Sequence, residues 1–92
     1  MAKENNAPTQ VEVGGIAVAV DMAYVRSWAG VMQAKKMAST ELPETERFLA
    51  MVEYYEHVVA NMDEVTEAAG ERPADEVFAL LSEAVKAATP KN

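Results

Sequence analysis

The sequence predicts a mainly α fold with a small N-terminal β-hairpin: a single domain of three to four helices packed on the hairpin. Three observations carry that reading. Around Gly14-Gly15, the residues Val11 and Val13 on one side and Ile16, Val18 and Val20 on the other repeat with a period of two. Tight hairpin turns need positive φ, which glycine adopts without steric cost. Further on, Phe48, Met51, Val52, Tyr55, Val58, Val59 and Met62 recur at spacings of three and four, the helical period. Finally, the 92 residues are half apolar, enough for one small core and near the size at which a single core only just suffices.

Each element has its own warrant. Residues 1–9 are polar, hold Pro8 and read as a disordered N-terminal tail ahead of a single domain at 10–88. The hairpin spans 10–21. A two-residue turn sets Val13 opposite Ile16 and Val11 opposite Val18, so one face becomes wholly aliphatic. A lone hairpin is marginal in water, and helices must cover that face. A first helix is expected over about 22–38 with Asp21 as its N-cap. Its stripe is Met22, Val25, Ala29, Met32 and Lys36, widened by Trp28 and Val31. Gly30 weakens that helix by roughly 1 kcal/mol relative to alanine, and marks either a close approach or a break. Pro43 opens a second helix over about 43–69, with Glu44, Glu46, Glu53 and Glu56 on its polar side. Its last part, from Asn61 to Ala69, is either a continuation or a separate short helix, with Gly70 as its C-terminal cap. Pro73 opens a third helix over about 73–88, burying Ala74, Val77, Phe78, Leu81, Ala84, Val85 and Ala88, and 89–92 form a frayed end. Trp28 and Phe48 are expected among the largest members of the core.

Composition excludes more than it assigns. There is no cysteine, so neither disulfides nor zinc thiolates can staple the fold. Fifteen acidic residues against eight basic ones give a net charge of −7. Such a surface repels nucleic acid and anionic lipid. No apolar run approaches the roughly 18 residues that cross a membrane. The start, with Lys3 followed by Glu4, Asn5 and Asn6, lacks the apolar stretch of a signal peptide. A soluble, intracellular protein is expected.

Chemistry finds little purchase. His57 is the only histidine, flanked by Glu56 and four residues after Glu53. A metal site wants three or more converging ligands, so His57 reads as a surface or boundary residue of the second helix. Glu53, Glu56 and Glu64 fit a solvated helix face better than an acid/base pair. Ser27, Ser39 and Ser82 belong to no histidine–carboxylate set, and no glycine loop could cradle a phosphate. No enzyme, metal or cofactor is expected. Trp28-Ala29-Gly30 matches the W-x-G signature of small secreted helical-hairpin proteins. There, however, the signature sits in the turn between two long helices, whereas here it follows a hairpin and falls within a helix. The methionines, Met32, Met37, Met51 and Met62 among them, serve either as gap-fillers in the core or as an adaptable surface for partner helices.

In order, the chain reads GGIAVAVD, SWAG, LPETERFLAMVEYY and RPADEVFALLSEAV. From about Val11 to Ala88 this resembles the tail assembly chaperones of long-tailed bacteriophages. Gly15-Ile16 leading to Val20-Asp21 and Trp28, with the ADEVFALLSEAV ending, carries the resemblance. The sequence departs from the family where Gly30 and the pair Lys35-Lys36 replace a run of acidic and leucine residues after the tryptophan. The resemblance implies a non-enzymatic protein of the host cytoplasm, absent from the mature virion. It would bind the long helical tape measure protein and keep it soluble until tail tube subunits polymerise around it. Partner contacts are then expected at Trp28, Met32, Met51 and Met62, with self-association also possible through the same apolar strip. It further implies a longer product made by a one-base backward ribosomal slip, for which Thr89-Pro90-Lys91 can be encoded as ACC CCA AAA. A structural phage protein at the head–tail connection or tail completion, or a small helical secreted protein of the W-x-G type, is the alternative. A small helical regulator would need a nucleic-acid surface that the charge argues against.

Overall fold

The computed structural model describes residues 7–89. Seven elements follow one another: β1 (Thr9–Val13), β2 (Ile16–Val20), α1 (Met22–Arg26), α2 (Trp28–Ala38), α3 (Glu44–Val58), α4 (Met62–Ala69) and α5 (Ala74–Ala88). The strands pair antiparallel in the register that the valines dictate, Val13 with Ile16 and Val11 with Val18. Gly14 and Gly15 hold φ at 57° and 80°, the two positive values of a tight hairpin turn. A side chain at Gly14 would also run into Leu80 of α5, which closes over the turn. β1 begins at Thr9, inside the stretch expected as tail; residues 1–6 and 90–92 lie outside the described residues.

The aliphatic hairpin face meets α5, which crosses both strands, and α4, which covers β2. The core gathers Val18 and Val20 from the hairpin, Tyr55 and Val58 from α3, Val65 from α4 and Leu81 from α5. Val18, Val20, Val58 and Val65 are its largest fully buried side chains. The free edge of β2 is closed by the segment after α3. Asp21 N donates to Val58 O at 2.7 Å, Ala60 N to Ala19 O at 2.8 Å, and Val20 bridges Val59. Asn61 completes the join: Ala19 N donates to its Oδ1 at 2.9 Å, and its Nδ2 donates to Ala17 O at 3.0 Å.

The described residues hold five helices where three to four were expected: the first is broken, and of the two readings for Asn61 to Ala69 the separate short helix holds. The first, expected over 22–38, stops at Arg26 and restarts at Trp28 because Ser27 is extended, at φ −74° and ψ 161°. Its hydroxyl donates to Tyr24 O at 2.7 Å and accepts from Gly30 N at 3.0 Å, closing α1 and capping α2 with one side chain. Gly30 answers a close approach: a Cβ there would collide with the Tyr24 carbonyl. The second, expected over 43–69, is interrupted at Val59 to Asn61, where the backbone leaves the helix to pair with β2. Asp21 does cap α1, accepting from Tyr24 N at 3.2 Å, and Gly70 does cap α4 with φ at 60°.

The break at Ser27 resets the phase of α2 and overturns part of the expected core. The inward face of α2 is Gly30, Gln33, Ala34 and Met37. Trp28 is 77% exposed and is no core residue. Phe48 is 44% exposed, because α3 turns Ala50, Tyr54 and Tyr55 inward and leaves Phe48 at the border.

Candidate partner-binding surfaces

The outer face of α2 is the first surface. Trp28, Val31 and Met32, at helical positions i, i+3 and i+4, are 77%, 48% and 41% exposed. One turn further, Lys35 and Lys36 join Met32 and Leu42 around a shallow cavity of about 450 Å³. The helix is held against α3 by Gln33, whose Nε2 donates to Ala50 O at 3.0 Å and to Glu53 Oε1 at 3.3 Å. Leu49 of α3 is 55% exposed.

The second surface lies between α3 and α5, which meet through rings. Phe48 packs edge-to-face on Phe78 with centroids 5.3 Å apart, and Phe78 stacks on Tyr55 at 6.0 Å. On one side of this aromatic wall a groove of about 530 Å³ is lined by Met37, Arg47, Met51 and Tyr55, with Glu44 and Asp75 at its border. On the other side a smaller cavity of about 250 Å³ is lined by Val52, Met62, Val65 and Val77. In the groove, Arg47 Nε is buried with no hydrogen-bond partner among the described residues. Burying a donor without an acceptor costs roughly 1–3 kcal/mol, so this atom marks a place where an acceptor would be stabilising. Burial pushes the Tyr55 hydroxyl above its ordinary range, as does neighbouring Tyr54, while a hydrogen bond with Ser82 pulls the other way. Tyr54 is raised by burial first and by Tyr24 second.

The four expected contact residues do not share one surface. Trp28 and Met32 stand together on α2, Met51 lines the groove, and Met62 lies behind the Phe48–Phe78 pair. Val31 and Leu49 complete these surfaces without having been singled out as contacts. Met37, named among the adaptable methionines but not among the expected contacts, lines the groove. Arg47 had no signal, because a single arginine on a helix of glutamates reads as solvated.

His57 is exposed, stacked on Tyr24 with ring centroids 4.9 Å apart, and its Nδ1 lies 3.0 Å from Glu53 O. Among the described residues no three His, Cys, Asp or Glu side chains converge as a metal site would require. No helix among them is long and apolar enough to cross a membrane. No protein-family model, curated protein or solved structure matches the chain.

Proposed function

We propose that this protein is a tail assembly chaperone of a long-tailed bacteriophage. It binds the tape measure protein in the host cytoplasm, keeps it soluble during tail assembly, and leaves before the virion is complete. The observation that supports this most directly is apolar surface left open on a small acidic chain: Trp28, Val31 and Met32 on α2 and Phe48 and Leu49 on α3 are all at least 41% exposed. Clustered exposed apolar side chains on a soluble domain mark places that a partner covers. A tape measure protein is long, helical and partly apolar, and it aggregates unless such segments are shielded before the tube encloses them. A partner that shields them while bringing a charge of −7 also raises the solubility of the complex. The order of hairpin, tryptophan helix and two proline-opened helices supports the same reading.

Co-expression tests it. The tape measure protein is expected to be insoluble alone and to elute with this chain in gel filtration when both are made together. A tape measure protein that stays insoluble beside its chaperone refutes the proposal. Finding this chain in purified virions replaces it with a structural role.

A further inference from the structure

We infer that the groove between α3 and α5 docks about two turns of a basic amphipathic helix. This rests on the proposal that the partner is helical and partly apolar. The groove walls are Phe48, Met51 and Tyr55 from α3, Phe78 and Ala79 from α5, and Met37 from the end of α2. The α5 lining runs from Asp75 to Ser82. At a rise of 1.5 Å per residue this is roughly 10 Å, the length of two helical turns. A helix laid along such a groove presents apolar side chains at i, i+3 or i+4, and i+7. Met37 and Met51 suit that use, since an unbranched thioether adapts to the shape of what it meets.

Charge decides which helix. Glu44 and Asp75 border the groove and are exposed, against one half-buried cation in its lining, Arg47, and the whole chain carries −7. Lysine or arginine beside the apolar anchors therefore meets opposite charge, and glutamate or aspartate there meets like charge. A second copy of this acidic chain is disfavoured on the same ground. A strand would find no edge to pair with, because the groove is lined by helical side chains.

Methionine methyl NMR reads the site directly, because Met37 and Met51 lie in the groove, Met32 on the outer face of α2 and Met62 behind the aromatic wall. The probes are two synthetic helical peptides of about four turns, with leucines at i, i+3 and i+7 and flanked by lysines in one and glutamates in the other. The lysine peptide is expected to shift the methyls of Met37 and Met51 and to bind at least about tenfold tighter than the glutamate peptide. Met51→Glu is expected to weaken it by a similar factor. The double variant Glu44→Lys, Asp75→Lys keeps the apolar walls and is expected to reverse the preference between peptides, with its thermal unfolding checked beside the parent. Shifts confined to Met32, equal binding of both peptides, or an inert Met51→Glu overturn the inference. So do shifts at Met37 and Met51 that follow protein concentration alone, which assign the groove to a second copy. If Met51→Glu solubilises the tape measure protein as well as the parent does, the groove assignment fails and the chaperone reading stands. If the parent takes the lysine peptide in the groove yet leaves the tape measure protein insoluble, the chaperone reading fails and the groove stands.

Discussion

Leu81 and Trp28 make the sharpest contrast between single residues. Leu81 is 3% exposed, in one buried cluster with residues of the hairpin, α3 and α4, and Trp28 is 77% exposed on α2. Leu81→Ala is expected to lower stability by about 2–5 kcal/mol, the loss of buried area plus the cavity left behind. Trp28→Ala is expected to stay within about 0.5 kcal/mol, as surface substitutions do. Denaturant unfolding of both variants checks this, and a Trp28→Ala variant that unfolds like Leu81→Ala would return the tryptophan to the core. The buried tyrosines give a second test. Burial first, then a neighbouring tyrosine, raises the hydroxyl pKa of Tyr54 and Tyr55. In the unfolded chain these groups ionise near pH 10, so above that pH the unfolded state holds fewer protons than the native one. Their contribution is complete below pH of about 10 and is lost as pH rises through the native values. Stability is expected to fall there, and to fall less in a Tyr54→Phe, Tyr55→Phe double variant; an equal slope in both proteins would place these hydroxyls in water. Val18, Val58 and Leu81 were legible because strand and helix periods point them inward wherever the element is unbroken. Trp28 was not, because counting by three and four assumes a continuous helix and Ser27 shifts the phase.

At the scale of elements, the breaks do the positioning. The helix expected over 43–69 ends at Val58 so that Ala60 N can pair with Ala19 of β2 and Val58 O with Asp21 just after it, and Asn61 is the residue that holds the junction. Its side chain accepts from Ala19 N at 2.9 Å and donates to Ala17 O at 3.0 Å and Glu64 Oε1 at 3.1 Å. Without it, two strand groups lose their partners at an edge already short of them. Asn61→Ala is expected to cost about 1–3 kcal/mol and to speed hydrogen exchange at the Ala19 and Ala60 amides ahead of the rest of β2. Uniform acceleration along the whole strand would make Asn61 a general stabiliser and not the holder of this junction. Asn61 lay in a stretch whose sequence allowed either continuation or a new helix. What decided it was tertiary: an unpaired strand edge 42 residues earlier, invisible to any local pattern. The hairpin was legible because its turn and its register are both local, fixed by Gly14-Gly15 and alternating valines. The groove was not, because Phe48 and Phe78 each carry an ordinary inward signal. The gap beside their rings exists only once α3 and α5 are brought together in the fold.

For the whole molecule, the question is whether its charge or its apolar surface holds a partner. Burying one Val, Phe or Met side chain contributes about 1.5–3 kcal/mol, and the groove and the outer face of α2 each offer more than one. An exposed ion pair contributes about 0.2–1 kcal/mol, so two such pairs at Glu44 and Asp75 contribute about 0.4–2 kcal/mol. The apolar part is the larger. Salt separates the two, because it screens charges beyond about 10 Å at 0.1 M and about 3 Å at 1 M, and leaves apolar burial intact or strengthened. Binding of a tape measure fragment, followed by fluorescence anisotropy, is therefore expected to weaken by a factor of about 2 to 30 once the rim pairs are screened, and then to level off. The net charge of −7 would then act mainly on encounter and on the solubility of the complex. Affinity that keeps falling until no complex remains at a few tenths molar salt would assign the contact to the acidic surface, with the α2 face and the groove left to packing alone.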